Sequence, residues 1–235
     1  MIPLFFSAPF SRRLLSVVAG LVVLGGCSTG MNAMVDSVRQ VLPRGQAADS
    51  AALDARFAYI RITRGGHVGL LWRGSTEQGP EGTVEVYYSG FGEVVRLLDG
   101  RLVGALGLNT EWRKVSLTAP SWRTASAAAQ GVSFVRVRDV MPGYRSGVRD
   151  EVTVRPIAAP SRTALRAVDP GALAWFEERT ATSAGDAPVP VARYGVDLAG
   201  AQEQVIYAEQ CLAVDLCFTW QRWSAAMQQA SVDRR

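Results

Sequence analysis

Glu93-Val94-Val95-Arg96-Leu97-Leu98-Asp99-Gly100-Arg101-Leu102-Val103-Gly104-Ala105-Leu106 is the stretch that decides the fold class. Two apolar segments flank Asp99-Gly100, and Asp-Gly supplies the two positive φ values that a type I′ hairpin turn needs. A strand pair with so local a turn predicts neighbours of the same kind. Upstream, Phe57 to Thr63 is rich in β-branched and aromatic residues, Arg64-Gly65-Gly66 reads as a turn, and Val68 to Arg73 as a second strand. Gly74 to Gly82 reads as a loop, and Thr83 to Tyr88 alternates apolar and polar positions. Downstream, strand patterns recur at Lys114 to Thr118, Val132 to Arg138, Arg149 to Ile157, Ala172 to Arg179, Val191 to Asp197, Gln204 to Gln210 and Leu216 to Trp223. Ala125 to Gln130 reads as a loop or helical turn, Ala158 to Gly171 as irregular chain, Thr180 to Pro190 as an exposed loop, and the polar end as a loose helix or tail. Such spacing predicts an all-β fold, an antiparallel meander of about ten to twelve strands forming a barrel or half-barrel.

The N-terminus carries a different pattern. Arg12 and Arg13 form a positive head, Leu14 to Val23 an apolar run, and Leu24-Gly25-Gly26-Cys27 a small-residue site. That order is a secretory signal, and the run is too short to span a hydrocarbon core of about 30 Å. Ending on Leu-x-Gly-Cys, it resembles the lipobox of bacterial lipoproteins. The resemblance implies a diacylglycerol on the Cys27 sulfur and cleavage before Cys27. Ser28, where Asp would retain the inner membrane, implies an outer-membrane address on the periplasmic face. Met31, Met34, Val35, Val38, Val41 and Leu42 recur at helical spacing until Pro43 and Gly45. They predict a short helix packed on the domain, with a membrane-surface helix as the alternative. Gln46 to Asp54 reads as a polar spacer. The chain therefore divides into a signal (1–26), a lipidated anchor with helix and spacer (27–55), and one β domain (56–235).

Composition removes several function classes. The formal charge is +4, of which Arg12 and Arg13 contribute two, so a nucleic-acid partner is not expected. Cys211 and Cys217 are spaced for neither a CxxC redox motif nor a zinc pair, and an oxidising compartment favours a disulfide across a hairpin. His67 is the single histidine and stands at a turn, a poor start for a triad or a zinc site. Glu177 and Glu178 are adjacent, so on a strand they face opposite sides and cannot serve one glycosidic bond. Glu151, Asp197 and Glu209 are scattered. We therefore expect no catalytic residue, metal or cofactor. Six tryptophans remain, most of them expected in the core. Trp122 follows Pro120 in a polar stretch, and Trp122 with Arg123 is the expected exposed pair for a glycan or protein partner.

Val84 to Trp112, reading VEVYYSGFGEVVRLLDGRLVGALGLNTEW, resembles the YjbF-type lipoproteins. Arg193-Tyr194-Gly195-Val196-Asp197, the Ala199-Gly200 turn and Gln204-Val205 resemble that family's penultimate hairpin. The Cys211 and Cys217 pair departs from the pattern, as does Gly195 where the family has an aromatic. The resemblance implies an accessory role in exopolysaccharide or group 4 capsule production, without catalysis. Its partners would be the membrane, through Cys27, and polysaccharide secretion proteins or the polymer, met by a sheet edge or an aromatic and Arg face. Two other readings stay open: a lipid or lipoprotein carrier with an apolar cavity, and a glycan-modifying enzyme.

Overall fold

The computed structural model describes residues 46–182 and 188–233. Cys27 and the helical pattern at 31–42 lie outside the described residues. Twelve antiparallel strands follow one another in chain order: β1(Tyr59–Arg64), β2(His67–Gly79), β3(Gly82–Tyr88), β4(Val94–Leu98), β5(Arg101–Leu106), β6(Glu111–Leu117), β7(Val132–Met141), β8(Arg145–Ile157), β9(Ala174–Thr182), β10(Ala192–Asp197), β11(Gln204–Ala213) and β12(Leu216–Trp223). Tyr59 of β1 pairs with Trp72 on one side and Trp223 on the other, so the meander is a closed barrel rather than a half-barrel. Closure removes both terminal sheet edges, which would otherwise offer unpaired backbone groups. Three short α-helices and one 3-10 turn at Pro170–Ala172 accompany it: α1(Gln46–Ser50), α2(Trp122–Ala127) between β6 and β7, and α3(Ala225–Asp233).

The Asp99-Gly100 hairpin forms as its sequence predicts, with positive φ at both residues. Its tip does more than turn. Gly100 packs so closely on Val205 of β11 that a Cβ at this position would overlap that side chain. The Gln210 amide donates to the Gly100 carbonyl at 2.8 Å and accepts from the Leu102 N–H at 3.0 Å. The β4–β5 hairpin is thus drawn across the base of the barrel, the end at which the chain enters at Tyr59. Trp122 enters beside it and touches Phe176 and Tyr194, with ring centroids 5.1 and 4.8 Å away. Its indole N–H donates to the Asp99 carbonyl at 2.9 Å. At 1% exposure Trp122 is a core residue, which corrects the expectation of an exposed ring. Helix α2 forms because Ser121 caps it and because the Glu203 carboxylate accepts from the N–H groups of Trp122 and Arg123. A carboxylate at a helix N-terminus satisfies donors with no partner inside the helix.

Nearer the opposite rim, Trp112 spans the interior and donates to the Leu212 carbonyl at 3.0 Å. Five of the six tryptophans are buried, with Trp72 only partly so. The interior is filled by side chains.

Three connecting segments depart from their predicted roles, the shortest departure being in the loop expected at Thr180 to Pro190, where residues 180–182 extend β9 and Val189 is buried. Gln46 to Asp54, expected as a polar spacer, contains α1, whose Asp49 is buried against Arg61 of β1 at 2.7 Å. Gln228 of α3 donates to the carbonyls of Asp49 and Ala51, tying the two helices over Trp223 and the outer wall. Buried ion pairs leave no hydropathy signal, so the segment read as solvated. Gly74 to Gly82, expected as a loop, instead extends β2 to Gly79, where it turns tightly onto β3. Its residues are exposed on both faces and therefore lack alternation. The chain at 158–169 keeps its predicted irregular character, with Pro170 and Gly171 beginning a 3-10 turn capped by Asp169, and is strapped outside the barrel. There the Ala164 N–H donates to the Tyr207 hydroxyl, and Gln221 exchanges two hydrogen bonds with the Arg166 backbone.

The predicted disulfide between Cys211 and Cys217 is present, on residues directly opposite across the β11–β12 hairpin.

Gly100→Ala should destabilise the protein by about 3 kcal/mol or more, because left-handed strain and overpacking act at one atom. Urea unfolding of the variant would test this, and a loss under 1 kcal/mol, about the cost of a surface change, would contradict the plugged base.

Candidate functional site

Chemistry-bearing side chains concentrate inside the barrel. Arg101 of β5 crosses to Glu178 of β9 at 2.7 Å, and both are 3% exposed. The Tyr194 hydroxyl donates to the other Glu178 oxygen at 3.0 Å. The Arg101 guanidinium also lies 3.8 Å from the centre of the Trp122 ring. Its Nη2 finds no hydrogen-bond partner among the described residues, and the indole face takes that place. Burial, with the Glu178 charge adding to it, holds the Tyr194 hydroxyl well above its ordinary range. That phenol stays protonated and serves as a donor.

A second cluster lies nearer the rim. Asp150, fully buried on β8, receives Arg136 and Arg138 of β7 at 2.8 and 2.7 Å, and Thr182 of β9 at 3.0 Å. Both guanidinium groups sit about 4.8 to 4.9 Å from the Trp112 ring. Burial alone would lift the Asp150 carboxyl, but the two guanidinium groups outweigh it and hold it below the usual carboxylate range.

The third cluster joins β2, β3 and β12 at the base. Glu85 is shared by Arg222 and Arg73, each at 2.7 Å, and Arg222 also donates to the Tyr87 hydroxyl. Here too burial pushes the Glu85 carboxyl up while the arginines bring it below its ordinary value. Burial pushes the Tyr87 phenol up to about 12.

Each of these carboxylates is a salt-bridge acceptor for arginine. A general acid needs a raised pKa and a general base needs an open approach, and Asp150 and Glu85 offer neither. Glu177 and Glu178 face opposite sides of β9, as their adjacency predicts. Glu178 turns inward to Arg101, and Glu177 turns outward to Arg155 and Arg179 at 2.5 and 2.9 Å. His67 is exposed at the β1–β2 turn. Among the described residues no group of three His, Cys, Asp or Glu side chains could hold a metal ion.

Trp122 and Arg123 do not form a joint contact surface. Trp122 is inside, while Arg123 is exposed and donates to the Gly200 carbonyl at 2.5 Å, clamping α2 to the β10–β11 connection. Helical geometry turns neighbouring residues to different directions, and α2 uses this to send the indole in and the guanidinium out. Sequence reasoning missed the three interior clusters. Their one available signal was Arg at inward-phase positions of alternating strands, as in Arg136 and Arg138.

The outer wall is polar where it is uncovered. Arg149, Glu151 and Arg155 alternate along β8, beside Glu177 and Arg179 of β9. A strand facing lipid would carry apolar residues at those positions. No helix among the described residues is long and apolar enough to cross a membrane.

Breaking the Arg101–Glu178 pair from one side leaves a buried charge. Arg101→Leu or Glu178→Leu alone should cost about 3–5 kcal/mol, and the double variant clearly less than their sum. A double-mutant cycle by urea unfolding measures this, and additive losses would rule out the pairing. Asp150 gives a pH signature. Because its folded pKa is lowered, the folded chain binds fewer protons than the unfolded one, so stability is complete above about pH 4 and falls on acidification. Asp150→Asn should flatten that acid limb in unfolding curves taken between about pH 3 and 7; an unchanged slope would remove Asp150 from the acid response.

No family model matches the sequence, and no curated protein matches it. Among solved structures the chain is similar to the hypothetical lipoprotein YmcC from Escherichia coli K12, at 17% identity and a TM-score of 0.52. The likeness covers 81% of this chain and 95% of that one. It extends over most of both chains, and the two proteins share a fold.

Proposed function

We propose that this protein is a lipid-anchored accessory of exopolysaccharide or capsule export, held on the periplasmic face of the outer membrane and acting by binding rather than turnover. The observation that carries this reading is the filled interior. Trp112, Trp122, the inward hairpin and the paired arginines occupy the space in which a carrier would hold an acyl chain. That weighs against the lipid-carrier reading and leaves the outer wall and the two ends to do the work. The enzyme reading is weakened by carboxylates bound to arginine in all three clusters. The Leu-Gly-Gly-Cys27 pattern supports the anchor, and the fold shared with a hypothetical lipoprotein agrees with it. The family resemblance of Val84 to Trp112 supplies the link to polysaccharide.

In cells, wild type should carry acyl mass and fractionate with the outer membrane. Cys27→Ala should be soluble and should lower polymer output. Mass spectrometry of the purified chain, fractionation and polymer assay in the same strains test this together. An unacylated wild type, or unchanged polymer with Cys27→Ala, would overturn the reading.

A further inference from the structure

The arginines inside the barrel near the rim are not balanced. Arg136 and Arg138 of β7, at 8% and 3% exposure, share one fully buried carboxylate, that of Asp150. The neighbouring acidic residues are engaged elsewhere. Glu178 bonds Arg101, Asp139 accepts from the Gly147 N–H, Glu111 bonds Arg113, and Glu151 is exposed on the outer wall. The cluster therefore keeps one positive charge that no carboxylate among the described residues meets. The Trp112 ring lies against both guanidinium groups, and an aromatic face eases the burial of a cation without supplying a negative charge. Buried charges are ordinarily paired.

The arginines also keep donors in reserve. Each spends its Nε and Nη2 on Asp150, and Arg136 adds the Thr180 hydroxyl. The Nη1 of each makes no hydrogen bond among the described residues. Neither Nη1 is among the buried donors left without a partner, so both reach open space. Thr180 and Thr182 of β9 bond the same cluster, yet both are only half-buried. The barrel is open to solvent at their level, toward the rim.

A surplus cation with two free donor groups calls for an anion, and one negative charge brings the cluster to neutrality. A carboxylate supplies that charge together with two acceptor oxygens, one for each Nη1. We propose that the barrel mouth between β7, β8 and β9 is a carboxylate-binding site, in which the Nη1 groups of Arg136 and Arg138 hold the ligand and Asp150 positions them. The source of the carboxylate rests on the accessory role proposed above: an acidic sugar of the exported polymer, whose ring stays outside because Trp112 and the arginines fill the space beneath. A free small carboxylic acid carries the same group. The charge surplus is independent of acylation, so failure here leaves the anchoring reading standing.

The test titrates the full chain with sodium glucuronate, sodium acetate, glucose and sodium chloride in turn, following the Nε–H resonances of Arg136 and Arg138. Glucuronate should shift both saturably, with half-saturation at about 1 mM, and glucose should shift neither. Glucuronate binding about tenfold tighter than acetate assigns the acidic sugar, and equal affinity assigns the carboxylate group from either source. Arg138→Gln leaves Arg136 and Asp150 as a balanced pair, so glucuronate affinity should fall about tenfold, and Arg138→Lys should restore part of it. The wild-type titrations decide the matter even where the Gln variant fails to fold. The proposal is overturned by no saturable shift up to about 100 mM glucuronate, by chloride binding as tightly as glucuronate, or by a folded Arg138→Gln with wild-type affinity. A Lys variant no better than the Gln variant also overturns it, because the surplus charge would then be irrelevant.

Discussion

Arg101 and Glu178 hold the two halves of the barrel together across its interior. An ionised pair at 3% exposure is costly to desolvate, and only good geometry with further hydrogen bonds compensates it. Here the compensation comes from every side: Tyr194 donates to the free carboxylate oxygen, and the Trp122 ring covers the guanidinium. The pair joins β5 to β9, residues 77 positions apart in sequence. Gln210 and Val205 hold the same hairpin tip, whose Asp99 carbonyl seats the Trp122 indole.

Arginine is used here for reasons lysine could not meet. A planar guanidinium donates along its edge while presenting a face to an aromatic ring. Arg136 and Arg138 repeat this on Trp112, sharing Asp150, and Arg222 repeats the edge contacts on Glu85 and Tyr87. In the two clusters at Asp150 and Glu85, the arginines hold the carboxyl below its ordinary range against the opposing effect of burial. Satisfied polar networks of this kind make an interior rigid and specific. The outer wall shows the complementary choice, with charges on β8 and β9 left at the surface.

Strand existence and order were legible because the barrel wall has an inside and an outside, which imposes a period of two on residues such as those from Val132 to Arg138. The Asp99-Gly100 turn was legible because φ at those positions restricts which residues fit. The Cys211 and Cys217 pairing was legible because the hairpin is local. The burial of Trp122 was not, since its neighbours Ser121 and Arg123 are exposed and only Phe176, Tyr194 and Asp99 make its site. Asp49 misled in the opposite direction, as a charge that reads as solvent-facing and is buried on Arg61.

The sequence by itself determined what depends on neighbours in the chain: the strands, their antiparallel succession, the hairpin turn and the disulfide. It also carries the lipobox-like stretch at Cys27, whose meaning rests on residue order alone. Tertiary structure decided what depends on pairs far apart. It closed the barrel through β1 and β12, drew the hairpin inward, chose which arginines are buried, and left β5 and β6 registered at a single residue pair. The physical reason is range. Backbone conformation and alternation are set within a few residues, whereas a buried charge is tolerated only where a partner from another strand arrives to neutralise it.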